Sequence, residues 1–414
     1  MKKETTERKH LSMPFWGDVE AWVREKIQAL IQGVLEEEVT ELLGRAKSER
    51  RQGIDESEGY RNGHGKLRKL TLGAGTITLQ RPRVRGLEER FESRVLPLFV
   101  RRTQGVSDLI PELYLHGLAQ GDFDLALRGL LGEEAPLSAA TVGRLKVKWQ
   151  TEWEEWSRRP LADSEVVYVW VDGIYVKAGL EKSKAALLVV LGALSDGRKV
   201  VLSVVPGYRE SIESWGAVLR DLQKRGMNVP KLVVGDGHLG IWGALRNVWP
   251  EIAEQRCWNH RLLNLLETLP KSAHAQALIY LKAIPYAPTA AEALRLRKVF
   301  QAWCRRTGHD QAAQRIEEDW DRLIAFYAFP KEHWRHIRTT NPIESPFAAL
   351  RLRTSAAKRY KSVANATAVL WKLLLVAERR FRRLNAPKRL LDVFRGRKFQ
   401  DGLPIQDVTQ SHAA

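Results

Sequence analysis

Cysteine is nearly missing from this 414-residue chain: Cys257 and Cys304 are its only two thiols. That excludes a disulfide framework and a cysteine-rich zinc module, and it fits a reducing cytoplasm. Long apolar runs are missing too. None reaches the roughly 18 uncharged residues of a membrane span, and the opening MKKETTERKHLSMPFW has no apolar segment of the kind that directs secretion. An amphipathic membrane anchor, a lipidation signal, internal repeats and low-complexity tracts are also absent. Acidic residues are in deficit, 49 against 67 Lys and Arg, which leaves a net charge of +18. With 44% hydrophobic residues the chain can bury a substantial core. A globular protein this basic meets a polyanion, and nucleic acid is the commonest one. The expected location is the cytoplasm, on the nucleoid when DNA is bound, with no membrane partner.

The positive surplus is concentrated. From Arg351 to Lys398 there are 15 basic and two acidic residues, and from Arg61 to Arg102 there are 11 and three. A solvated face accounts for any single run. Two separated runs on one basic chain favour a nucleic-acid track.

Hydrophobic spacing divides the chain into seven segments. Residues 1–50 read as helical, with Val19, Trp22, Val23, Ile27, Ile31 and Val34 at helical spacing. Residues 51–105 read as a polar loop, RQGIDESEGYRNG, followed by a small basic β-hairpin. Leu70, Leu72, Ile77, Leu79 and Val84 alternate there around Gly73 and Gly75. Arg81, Arg83 and Arg85 share a face if the strand continues, and Pro82 counts against that. Residues 106–160 read as three short helices, the last opening at Ser138, in a helix-turn-helix-like, DNA-binding arrangement. An ordinary three-helix packing module gives the same pattern.

Residues 161–260 change character. VVYVWVDGIYV, AALLVVLGAL, KVVLSVVPG and KLVVGD are too apolar for strands with one wet face, so they belong inside a covered sheet. Asp196-Gly197 marks a hairpin between two of them. With the amphipathic ESIESWGAVLRDLQKRG and a short strand at 254–258, the order is β-β-β-α-β-α-β. Residues 261–335 carry helical patterns and no strand, so they read as an all-α insertion. Residues 336–398 return to the core with a basic helix, and 399–414 read as a loose tail. The expected fold class is α/β: a mixed-sheet catalytic core interrupted by an all-α insertion, behind a mainly α-helical N-terminal DNA-binding region.

Three carboxylates draw attention. Asp172 interrupts an apolar strand, where an unpaired charge is costly, so a buried arginine or a divalent metal must compensate it. Asp236 ends the strand KLVVGD, a usual place for a site in an α/β sheet, though it could equally cap the helix that follows. Glu344, in TTNPIESPF, falls in the first turn of a helix opened by Pro342, where negative charge is favoured in any case. Together, two aspartates on neighbouring strands and a helical glutamate can hold two divalent cations about 4 Å apart. Hard oxygen ligands select Mg2+ or Mn2+, and the chemistry is in-line displacement at a phosphodiester.

Cys257 and His260, in QRCWNHR, form a C-x-x-H. A zinc site would need further ligands, of which His238 and Cys304 are the candidates. A core cysteine beside a surface histidine, or a pair lying next to the site and shaping the DNA pocket, are the other readings. Trp303, Trp320 and Trp334 in the insertion fit core packing or, if exposed, stacking on an unpaired base.

The strings YVWVDGIYVKAG, VVGDGHLGIWGAL, QRCWNHRLLNLL and HIRTTNPIESPFAALRLRT, together with Tyr60-Arg61-Asn62-Gly63, resemble the Mutator-type transposases of bacterial insertion sequences, over most of the chain. The resemblance implies a DDE transposase with a ribonuclease H-like core and a helical insertion before the glutamate. It places the triad on Asp172, Asp236 and Glu344, and the family's C-x-x-H on Cys257 and His260. Arg351, Arg353, Lys358, Arg359 and Lys361, just downstream, are the expected grips on DNA. The implied partners are the element's terminal inverted repeats and target double-stranded DNA, bound by a homodimer or larger assembly. A nuclease or resolvase sharing the triad, and a catalytically idle DNA binder, are the rivals.

Overall fold

A computed structural model describes residues 16–50, 53, 59–119, 121–132, 139–180, 184–207, 209–237 and 239–405. Ser138 and His238 lie outside the described residues. The chain divides into two compact units, Met1–Leu145 and Lys146–Ala414.

The first unit opens with a long helix, α1 (Val19–Leu43). Four short strands follow: β1 (Tyr60–His64), β2 (Arg68–Leu72), β3 (Gly75–Leu79) and β4 (Pro82–Arg85). The expected hairpin is β2–β3, with Leu70 opposite Ile77. Its apolar face, Leu70, Ile77 and Leu79, packs on Leu35 of α1 and on Leu96. The exposed edge of β3 is not left open. Gln28 of α1 accepts from Thr78 N at 3.1 Å, and Gln32 both donates to Gln80 O (2.8 Å) and accepts from Gln80 N (3.0 Å). Tyr60–Gly63, expected in a loop, instead lies in β1 and pairs with β4. Its polar side chains hide the strand from pattern reading, and the backbone pairing with the Arg83–Arg85 strand supplies the order. Helices α2 (Gln104–Leu115) and α3 (Phe123–Leu131) follow, and the division between units falls within α4 (Ala139–Ser157).

The second unit is built on a five-stranded mixed sheet: β5 (Val166–Val176), β6 (Ala185–Leu194), β7 (Lys199–Gly207), β8 (Leu232–Gly235) and β9 (Ala253–Arg256). The spatial order is β7-β6-β5-β8-β9. The first three strands form an antiparallel meander, and β8 and β9 run parallel to β5. The β6–β7 turn is the expected Asp-Gly hairpin: Gly197 takes φ 87° and Asp196 accepts from Arg198 N at 2.8 Å. Helices α5 (Ile212–Lys224) and α6 (Leu239–Val248) cover one face, placing Trp215, Leu219, Trp242 and Leu245 against Val169, Val171, Leu188 and Val190.

Beyond β9 come α7 (Trp258–Leu266), α8 (His274–Ala283), α9 (Ala290–Arg306), α10 (Asp310–Arg315), α11 (Trp320–Ile324) and α12 (Trp334–Ile337). No strand appears among the described residues of this stretch. Arg256 pairs with Asp319, and Arg322 pairs with both Glu254 and Asp319, which ties α11 to the β9 edge. Trp303 and Trp334 are buried, and Trp320 meets Trp258 edge-on under the Arg297 guanidinium. All three pack the interior of this segment.

The final helices are α13 (Asn341–Ala357), α14 (Val363–Glu378) and α15 (Pro387–Phe394), and the first two pack on β5 and β7 respectively. Helix is therefore laid on the sheet's second face as well, which explains why β6 and most of β5 are apolar. The basic helix expected within residues 336–398 is broken between α13 and α14. Lys358 takes φ 56°, Tyr360 N bonds to Lys177 O beside the end of β5, and Ser362 caps α14. Residues 399–405, expected to be loose, form a small hairpin of β10 (Phe399–Gln400) and β11 (Leu403–Pro404). Phe399 is buried there, and Asp401 accepts from Ala290 N. No described helix is long and apolar enough to cross a membrane.

Candidate carboxylate site

Sheet register brings the two aspartates together. Tyr168, Val169 and Trp170 of β5 pair with Leu232, Val233 and Val234 of β8. Asp172 lies two residues beyond Trp170, and Asp236 two residues beyond Val234, so they occupy equivalent positions on neighbouring parallel strands. Side chains alternate across a sheet. Val169, Val171 and Val233 point into the core under α5 and α6. Tyr168 and Trp170 point the other way, bonding to His333 Nδ1 (2.8 Å) and His336 O (3.0 Å). Asp172 shares that second face, the one α13 covers. This is the side from which Glu344 arrives, in the first turn of α13 after Pro342.

Electrostatics register the convergence. The Asp172 carboxyl is pushed up to about 7, first by burial and then by the charge of Asp236, with Glu210 and Glu344 adding to it, while the Gly173 N–H at 2.7 Å pulls the other way. Asp236 and Glu344 thus both bear on Asp172. The three do not crowd into a single-ion cage. Among the described residues, the group of ligand-type atoms that falls within 4.8 Å of one another is Cys257, His260 and Glu344.

The C-x-x-H joins this centre through backbone pairing. Cys257 N donates to Gly235 O at 2.8 Å, immediately before Asp236, and Trp258 N donates to Arg338 O at 3.0 Å. The buried Cys257 Sγ accepts from Thr340 N (3.3 Å) and lies 3.1 Å from Thr340 Oγ1. The Thr340 hydroxyl in turn reaches Glu344 Oε1 and lies 3.4 Å from His260 Nδ1, which is 3.7 Å from Glu344 Oε1. The His260 pKa is raised to about 9, chiefly by its hydrogen bond to Cys257 and then by the charges of Cys257, Glu344 and Asp236. Cys304 is buried in α9 and takes no part in this group.

Two residues of the neighbourhood have no sequence signal. Thr340 reads as an ordinary residue before Asn-Pro. Glu210 reads as the polar start of an amphipathic helix, yet its carboxylate lies against Gly173, where a Cβ would come within 2.4 Å of it. Gly240 of α6 permits the same approach from behind: a Cβ there would sit 1.9 Å from Glu210 O. Those paired glycines were the available hint.

Of the five cations expected on DNA, Arg351, Lys358, Arg359 and Lys361 are exposed. Arg353 departs from the expectation. It is 1% exposed, because α13 turns that face into the protein, and it offers no guanidinium to a surface phosphate.

The family model described as "Transposase, Mutator family" matches residues 3–382. The chain is 46% identical over 304 residues to the transposase for insertion sequence element IS6120 of Mycolicibacterium smegmatis, covering 73% of this chain and 94% of that one. It is 41% identical over 281 residues to the transposase for insertion sequence element IST2 of Acidithiobacillus ferrooxidans, covering 67% and 95%. Among solved structures, the Drosophila P element transposase strand transfer complex aligns with 69% of this chain and 84% of that one, at 13% identity and a TM-score of 0.28. The match across nearly the whole sequence and the two bacterial relatives place this chain in the Mutator family of transposases.

Proposed function

We propose that this chain cleaves the ends of its own insertion sequence and joins them to target DNA, using Asp172, Asp236 and Glu344 as a DDE triad on a ribonuclease H-like core. The observation that carries this reading is the register: Asp172 on β5 and Asp236, directly after β8, stand at equivalent positions, on the face that α13 covers with Glu344. The meander of three antiparallel strands continued by two parallel ones supports the fold assignment.

The three carboxylates are the residues that would hold Mg2+ or Mn2+, as a pair of ions. When bound, such ions make a water or a DNA 3′-hydroxyl acidic enough to attack phosphorus and stabilise charge on the leaving oxygen. The chain's own groups do the rest. The Thr340 hydroxyl donates to Glu344 Oε1 and fixes its rotamer. His260, protonated at neutral pH, keeps a positive charge beside the carboxylates and offers a donor to a phosphate oxygen. Exposed Arg351, Lys358, Arg359 and Lys361 grip the backbone, giving affinity and salt dependence with little sequence information. One site serves both steps, cleavage and then attack of the freed 3′-hydroxyl on target. Since two ends must reach one target, a dimer or larger assembly forms on DNA.

The test is incubation of labelled end DNA with the protein and Mn2+. Asp172→Asn, Asp236→Asn and Glu344→Gln are each expected to abolish cleaved and joined products while end binding stays near wild type. Wild-type product yield from any of the three removes that residue from the triad. Cleavage without joining would point to a nuclease, and binding without either to an idle binder.

A further inference from the structure

The first unit holds a cleft of ≈ 620 Å3 whose lining comes from β1, β2 and β4, from Gly65, Lys66 and Arg81 in the turns beside them, and from the irregular segment around residues 90–101. Lys66, Arg68, Arg81, Arg83, Arg90 and Arg101 line it. Among the described residues none of the six pairs with a carboxylate. Of the acids nearby, Glu36 is engaged with Arg61 and His64 and Glu38 with Ser93 Oγ and Arg94 N, while Glu92 acts on Arg81 through its charge without forming an ion pair. Arg68 donates to Val100 O at 2.8 Å, which fastens one wall to β2. The Arg81 Nε is buried with no hydrogen-bond partner. Burial and the charges of Arg68 and Arg90 lower the pKa of its guanidinium.

Six like charges around one opening repel one another until something negative fills it. A lone phosphate ion would leave most of them unmet. The cleft also offers aromatic surface: Phe91 lines it, and so does Phe99, which is 89% exposed and held at φ 70°. A phenylalanine in the left-handed region is strained and persists only where its surroundings impose it. Many cations together with an exposed ring suit a strand of nucleic acid, whose phosphates take the arginines and whose sugar edges pack on the ring.

We propose that this cleft is a second DNA-binding site, a backbone clamp separate from the carboxylate centre, with Phe99 at its rim. It grips phosphates and does not read base edges, so it acts alike on any sequence. Taking DNA as the polyanion rests on the function proposed above.

The test uses the full chain. Lys66, Arg83 and Arg90 are exposed, so the triple variant K66A/R83A/R90A spares the packing, and its melting temperature serves as the check on folding. Fluorescence anisotropy with a short random-sequence duplex and with end DNA is followed between roughly 50 and 300 mM salt. The triple variant is expected to flatten the plot of log Kd against log salt by about 2 to 3, equally for both duplexes. Phe99→Ala removes apolar contact to the sugars and no charge, and is expected to weaken binding about 5-fold with the slope unchanged. An unchanged slope in the folded triple variant overturns the proposal, as does a loss confined to end DNA, which would mean base readout. Active triad variants would sink the catalytic reading but leave this slope measurement standing.

Discussion

Asp172 is where chemistry and stability meet. Its folded pKa, about 7, lies above the unfolded value near 3.8. A carboxyl shifted in that direction contributes stability that is complete below the unfolded value and is lost as pH rises through the folded one. Metal-free protein is therefore expected to lose up to about 4 kcal/mol through this group between acid and mildly alkaline pH. Calorimetry in EDTA at pH 5 and pH 8 checks it, as the difference between wild type and Asp172→Asn, so that groups titrating elsewhere cancel. The variant should gain on wild type at pH 8, and Mg2+ or Mn2+ should restore wild type alone. A pH-independent difference, with no effect of either ion, contradicts the assignment. Asp172 was legible in the sequence because a carboxylate inside an apolar strand demands compensation. Thr340 and Glu210 were not, because a threonine before Asn-Pro and a glutamate at a helix start are satisfied by local capping, and nothing in one dimension says that they reach a distant strand end.

At the scale of elements, the site depends on a junction. Cys257 is the pin: its N–H holds the end of β8 at Gly235, and its sulfur holds Thr340 just ahead of α13. Thr340→Val keeps the side-chain shape and removes the hydroxyl that reaches Glu344. Cleavage is expected to fall about 10- to 100-fold, with end binding unchanged and a stability loss of about 1 to 3 kcal/mol. Undiminished cleavage would show that Glu344 needs no such support. Strands β5 to β8 were readable because sheets covered on both faces require continuous apolar runs, and the Asp196-Gly197 turn announced itself. β1 was not, since YRNGH carries no alternation and is held by backbone pairing with β4. Nor was the break after α13, where Lys358 adopts a conformation that its side chain does nothing to encode.

Across the whole molecule, the charge surplus is the plainest message. The two basic runs read from composition supply the exposed cations after Glu344 and the lined cleft of the first unit. Composition could not tell which arginines face outward: Arg353 sits two residues from exposed Arg351 and is buried, because helical phase relative to the sheet is a tertiary property. The central claim is that carboxylates separated by 64 and 108 residues in the chain share divalent ions. Anomalous diffraction at the manganese edge, from crystals grown with Mn2+ and end DNA, tests it directly. The account predicts peaks bounded by Asp172, Asp236 and Glu344, lost together in Asp236→Asn. A peak held by Cys257 and His260 instead, or no peak at saturating Mn2+, would contradict it.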